Sequence, residues 1–188
     1  MEFYMLESSM LCITRKSTPI SSPITLSEAK SFLRINNNAD DKLINNLIAI
    51  ASEYAQWYIE KSLMRQIWQI SCNGHIPRKI QLPFNPIIKV NYVKIIHTNG
   101  SEELIDKTQY YVDIVLSHIL FYTQANVNRI EILYEAGYTD TSLIPAQIKH
   151  GILHHVAVAY KNRESENTNL LTFIKDIYSP FRELKLVL

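Results

Sequence analysis

Two hydrophobic periods divide this chain. Between residues 25 and 61 apolar side chains recur every three or four positions, between 65 and 136 they alternate, and from 145 onward the helical spacing returns. Thr25-Leu26-Ser27-Glu28 is a capping box: the Thr25 hydroxyl accepts the backbone N–H three residues on, and Glu28 reaches back to the Thr25 N–H. It opens a helix predicted over 25–35 that carries Leu26, Ala29, Phe32 and Leu33 on one face. A second helix, predicted over 41–61, follows Asp40-Asp41, whose carboxylates suit the positive end of a helix. Its stripe is Leu43, Ile44, Leu47, Ile48, Ala51, Tyr54, Ala55 and Tyr58. A third, over 145–163, begins with Pro145, where a missing N–H costs nothing, and carries Ile148, Ile152, Leu153, Val156, Ala159 and Tyr160. After the polar stretch 162–169, a short fourth helix is predicted over 170–178, stopped by Pro180.

The middle reads as strands. Gln66–Cys72 alternates; Lys79–Leu82 is short and halted by Pro83 and Pro86. Val90–His97 runs into Asn99-Gly100, a two-residue hairpin signal in which both turn positions would take positive φ, with Leu104-Ile105 returning. Tyr110–Ile114 and Ile119–Tyr122 form a further pair, and Arg129–Tyr134 closes the region. The expected fold class is α+β, mainly helical. It has a core of about four helices, with a small antiparallel β insertion at 65–136 between the second and third. Residues 1–22, rich in Ser and Pro near Ser17–Pro23, read as an extended arm; 23–180 as a single domain; and 181–188, with Leu184, Leu186, Val187 and Leu188, as an apolar tail that docks on the body or on a neighbour.

Composition narrows the function classes. A length of 188 residues, 47% hydrophobic and 20% charged, suits a globular protein with a proper core. The formal charge of +1 gives no basic footprint of the kind that wraps nucleic acid. With four glycines, the chain has neither GxGxxG nor GxxxxGK[ST], so the nucleotide-binding enzymes built on those loops are set aside. No apolar run reaches the roughly 18 residues that span a bilayer. Met1–Met10 carries Glu2 and Glu7 and lacks the basic start of a secretory signal, so synthesis in a cytoplasm is expected.

Candidate chemistry is sparse. Cys12 and Cys72 match no metal or redox spacing and read as free thiols. His150 and His154 stand at i, i+4, a spacing that can grip zinc. Gly151, however, follows His150 where a metalloprotease motif needs Glu, and no acidic third ligand stands at a suitable spacing. The pair therefore reads as the polar face of a partly buried helix. His75, His97 and His118 fall near predicted turns and read as solvated. Ser71, Cys72 and His75 are close in sequence, but alternation sends Ser71 and Cys72 to opposite faces, so nucleophilic catalysis is not expected. Asp40 and Asp41 read as helix-capping residues rather than an acid–base pair. Tyr110, Tyr111, Tyr122, Tyr134 and Tyr138 lie on or beside strands and read as packing residues, with a protein-contact surface as the rival. No catalytic, cofactor-binding or metal residue is assigned, and no cofactor is expected.

Four segments carry a resemblance. They are Pro23–Arg34; Asp41–Ile48 continuing through Tyr54–Tyr58 and Leu63–Trp68; Leu82-Pro83-Phe84-Asn85-Pro86-Ile87 with Val90–Val93; and Tyr134-Glu135-Ala136-Gly137-Tyr138 with Ile144–Lys149 and Tyr160–Glu164. In this order and spacing the chain resembles the head-tail connector (adaptor) family of long-tailed phages and prophages, in the branch with a β insertion. The resemblance covers about residues 20–180. It implies a structural virion protein rather than an enzyme. Such a protein forms a ring of about a dozen copies by closed head-to-tail contacts. The implied partners are the portal at the capsid vertex, a tail or stopper protein, and double-stranded DNA passing through the channel without sequence-specific binding; no membrane is implied. Two alternatives are kept. Another virion or nucleic-acid-binding module would show a basic face, and a small metal-dependent enzyme would use His150 and His154.

Overall fold

The structure, a computed structural model, describes residues 11–161 and 168–182. The described residues divide into two compact units, one made of residues up to 19 with 65–137, the other of 20–64 with those from 138 on. The first unit holds the strands and the second the α-helices.

In the helical unit, α1 (Leu26–Leu33) starts on the capping box, formed in full: Thr25 Oγ1 accepts from Glu28 N–H at 3.1 Å, and Glu28 Oε2 accepts from Thr25 N–H at 2.7 Å. It ends on Arg34 in the left-handed region, φ 60°. α2 (Asp41–Ile59) buries Ile44, Ile48, Ala51, Ala55 and Ile59, a stripe at helical spacing. α3 (Ala146–Lys161) turns Ile148, Gly151, Ile152, His155 and Val156 inward, and α4 (Thr168–Tyr178) adds Ile174 and Tyr178. Together with Ile24, Leu63, Met64 and Ile144 the apolar side chains among these make one hydrophobic core. Each buried Ile contributes about 1.5–3 kcal/mol of transfer free energy.

In the other unit, a five-stranded antiparallel sheet has the order β1 (Leu11–Arg15), β2 (Gln66–His75), β8 (Asn126–Ala136), β4 (Ile87–Ile96), β5 (Glu102–Leu104). β8 is central, with Trp68 facing Tyr134 and Ile70 facing Ile132 across β2, and Val93 facing Ile132 across β4. Its inner positions Ile130, Ile132, Tyr134 and Ala136 are buried, while Arg129 and Glu131 point the other way. A second sheet has the order β3 (Lys79–Gln81), β7 (His118–Phe121), β6 (Tyr110–Asp113). Trp68 and Phe84 stack with ring centroids 4.0 Å apart, Phe84 holding a left-handed backbone, φ 60°, just before the cis Asn85–Pro86 bond. Tyr134 is buried beside them and donates its hydroxyl to Pro83 O at 2.8 Å.

The expectation of a mainly helical fold with a small β insertion is overturned. Among the described residues there are four α-helices and eight strands in two antiparallel sheets, 36% helical and 33% strand. Three of the strands reach ten or eleven residues, longer than the apolar alternation alone marks. A further strand, β1, comes from ahead of α1, inside the segment whose Ser/Pro composition reads as an arm, and pairs along β2 from Leu11–Cys72 to Arg15–Trp68. The turn at Asn99-Gly100 also differs from expectation. Of the two, only Gly100 has positive φ, 83°; Gly100 N–H donates to His97 O, and His97 N–H to Ser101 O. That is a type I turn closed by a left-handed glycine, and it leaves Asn99 Oδ1 to accept from Ser101 N–H at 2.9 Å. Residues 1–10 of the expected arm, 162–163 of the third helix and 183–188 of the tail lie outside the described residues.

Candidate functional site

Every residue singled out for chemistry has a defined place. Cys72 is buried and Cys12 half-buried, both as free thiols, and alternation along β2 separates Cys72 from Ser71. His75 is exposed at the end of β2, so it forms no nucleophile–base pair with buried Cys72. His97 meets Glu103 at 2.9 Å across the β4–β5 turn. His118 departs from the solvated reading: it is buried in β7, and its Nδ1 has no protein partner. Asp40 occupies the N-cap position of α2, yet its side chain makes no capping hydrogen bond; it accepts the Tyr160 hydroxyl from α3 instead. Asp41 takes Lys30 Nζ at 2.7 Å. The capping explanation for this pair therefore gives way to ties between helices, α2 to α3 and α2 to α1. A third tie joins Lys149 Nζ to Glu28 Oε1 at 2.9 Å, so one carboxylate both caps α1 and holds α3. The Thr25 backbone N–H, followed by Lys149, keeps the Glu28 carboxyl below its ordinary range.

His150 and His154 lie side by side on α3 with their Nε2 atoms 2.9 Å apart. Phe32 of α1 presents its ring edge-on to both, and Phe173 of α4 to His154. Partial burial, then the neighbouring imidazole, lowers the His154 pKa. His150 also borders a shallow apolar groove between α3 and α4 with Ala146, Ile177 and Phe181. Among the described residues, no group of three or more His, Cys, Asp or Glu is arranged to hold a metal ion. His155, the next residue, turns inward against Tyr54 and is a buried histidine that the sequence pattern did not single out.

The described residues of the strand unit carry a charged sheet face and an exposed apolar turn. On the side of the five-stranded sheet opposite its buried face, charges alternate: Lys94 meets Glu102 at 3.1 Å and Glu131 at 3.3 Å, and Arg129 meets Glu131 at 3.7 Å. Glu135 is buried and held by Arg65 and Lys89. Burial pushes its carboxyl up, but the hydrogen bonds from Lys89 and Arg65 outweigh that and leave it below the ordinary value. The β6–β7 connection carries three consecutive exposed aliphatics, Ile114, Val115 and Leu116, with Val115 91% exposed. Hydrogen bonds from Leu116 N–H to Asp113 Oδ1 at 2.8 Å and from Gln81 Nε2 to Leu116 O at 3.0 Å pin this turn, so its apolar side chains are presented rather than collapsed. Of the tyrosines, Tyr110 and Tyr134 are buried, whereas Tyr111 and Tyr122 are exposed.

A family model for phage gp6-like head-tail connector proteins matches residues 23–131, more than half of the chain. The chain belongs to this family. It is a structural head-tail connector protein of the phage type. No curated protein matches the connector's sequence. Solved structures do match its fold. A chain from the neck of an empty GTA particle, computed with C6 symmetry, superposes with a TM-score of 0.76 at 16% identity, over 94% of this connector and 97% of that chain. A chain from the virion of a native gene transfer agent particle gives 0.77 at 14% identity, over 93% and 97%. One from the neck of a native GTA particle computed with C12 symmetry gives 0.70 at 15% identity, over 94% and 97%. At such identities the likeness is one of fold, and it extends over nearly the whole connector.

Proposed function

We propose that this connector assembles into a ring of about a dozen copies that joins the portal at the capsid vertex to a tail or stopper protein and extends the DNA channel. The family match over residues 23–131 carries this reading. It is supported by the shared fold with chains from particle necks whose reconstructions used C6 and C12 symmetry. The exposed Ile114-Val115-Leu116 run supplies apolar surface of the kind a protein assembly buries. The alternating charges of the five-stranded sheet and the net charge of +1 suit a channel in which double-stranded DNA slides without being gripped. In this reading the protein is made in the bacterial cytoplasm, ends in the virion and performs no catalysis. Deleting the gene from its genome tests the proposal. DNA-filled heads without tails should accumulate, and supplying the protein in trans should restore tailed particles. Tailed, infectious particles formed without it would refute the assignment.

A further inference from the structure

The geometry of the His150–His154 pair points to a second property: we propose that it is an exchangeable binding site for a divalent transition-metal ion of the copper(II) or nickel(II) type. The two Nε2 atoms stand 2.9 Å apart. Metal–imidazole bonds of about 2.0–2.1 Å ending on nitrogens at that separation subtend about 90° at the metal. Adjacent positions of a square-planar or octahedral ion require that angle, whereas a tetrahedral ion would need the nitrogens about 3.3 Å apart. The pair can thus supply adjacent positions of a tetragonal ion, and imidazole ligands suit copper(II) and nickel(II).

The rings are also held in place. Helix α3 fixes the i, i+4 spacing, and Phe32 packs edge-on against both imidazoles with centroids 5.9 and 5.2 Å away. Phe173 packs against His154 at 5.7 Å from the other side. Neither edge contact occupies an Nε2 atom, because those atoms meet each other. Without metal, one Nε2–H donates to the other Nε2. On binding, the donor ring shifts its proton to Nδ1, so both Nε2 lone pairs face the ion and the neutral pair releases no net proton. His150 is exposed, so the ion enters from solvent and water fills its remaining positions. Two protein ligands rather than three make this an exchangeable site, distinct from a zinc-enzyme centre.

The test is calorimetric titration of the untagged full-length protein with nickel(II) chloride in a weakly coordinating buffer, joined to electron paramagnetic resonance of the copper(II) complex. One saturable ion per chain is expected, with two equatorial nitrogens in the copper spectrum. His150→Ala and His154→Ala should each weaken binding at least tenfold, and His75→Ala and His97→Ala should leave it unchanged. Because His150 is exposed, H150A keeps the fold, which circular dichroism checks. No saturable nickel binding by the unaltered protein, or binding that H150A leaves intact, would overturn the proposal.

Discussion

At Gly151 helices α3 and α4 meet closely. A Cβ placed there would lie 2.4 Å from Tyr178 Cε1, 2.9 Å from its Cζ and 3.1 Å from Ile177 Cγ2. Tyr178 is fully buried, so its ring cannot swing into solvent to make room. Gly151→Ala brings two opposing effects. Alanine is the better helix former by about 1 kcal/mol in a helix interior. Against that, forcing a methyl group into a packed contact costs about 1–3 kcal/mol and more where the neighbour cannot move. At 2.4 Å the clash falls at the upper end, so the net effect should be a loss of about 1–2 kcal/mol. In a chain of this size that lowers Tm by about 2–8 °C. Thermal unfolding by circular dichroism reads it directly. A double-mutant cycle with Tyr178→Leu isolates the cause: removing the ring leaves a space the new methyl partly fills, so the two changes together should cost less than their sum. A Tm raised by Gly151→Ala, as propensity alone would give, would refute the close-packing argument.

Acid should weaken the helical unit. His155 is buried neutral, and burial holds its pKa below the ordinary value; His154 is lowered in the same direction. The unfolded chain therefore takes the proton first, near pH 6.5, and the associated stability is complete above that pH and lost as pH falls through the folded pKa. Urea titrations from pH 7.5 to 5 should show stability falling by up to about 1.4 kcal/mol per pH unit for each such proton. His155→Leu should flatten that slope, and an unchanged slope would place its source elsewhere. Around Glu135, Arg65→Ala and Lys89→Ala should each cost under about 1 kcal/mol, because the other cation remains. The double variant leaves the carboxylate without either cation and should cost more than the sum of the two single changes; simple additivity in urea unfolding would contradict the shared-carboxylate geometry.

What could be read from the sequence was local. The Thr25–Glu28 box and the stripe from Ile44 to Ala55 state their own geometry, because capping and helical spacing depend on residues three or four apart. Strand partners were not legible. β3 pairs with β7, nearly forty residues on, and β8 enters the middle of the larger sheet, choices set by which faces bury together. β1 was hidden because Ser17–Pro23 dominates the composition just after it, while its pairing partner lies across the whole of α1 and α2. The Asn99-Gly100 signal gave the place of the turn but not its type, since the same dipeptide serves a type I turn with one left-handed residue. Among candidate site residues, the rejection of a Ser71–Cys72 pairing rested on alternation, which β2 displays. His118 and His155 were misjudged or passed over because burial of a histidine follows from tertiary packing, not from its neighbours in sequence.

The central claim is that this connector works as a ring on the portal. Native mass spectrometry of the purified protein, alone and mixed with the portal protein of the same genome, tests that most directly. The account expects either a closed assembly of about a dozen copies or saturable, stoichiometric loading of the portal by copies that are monomeric on their own. A protein that stays monomeric and leaves the portal's mass unchanged would contradict it.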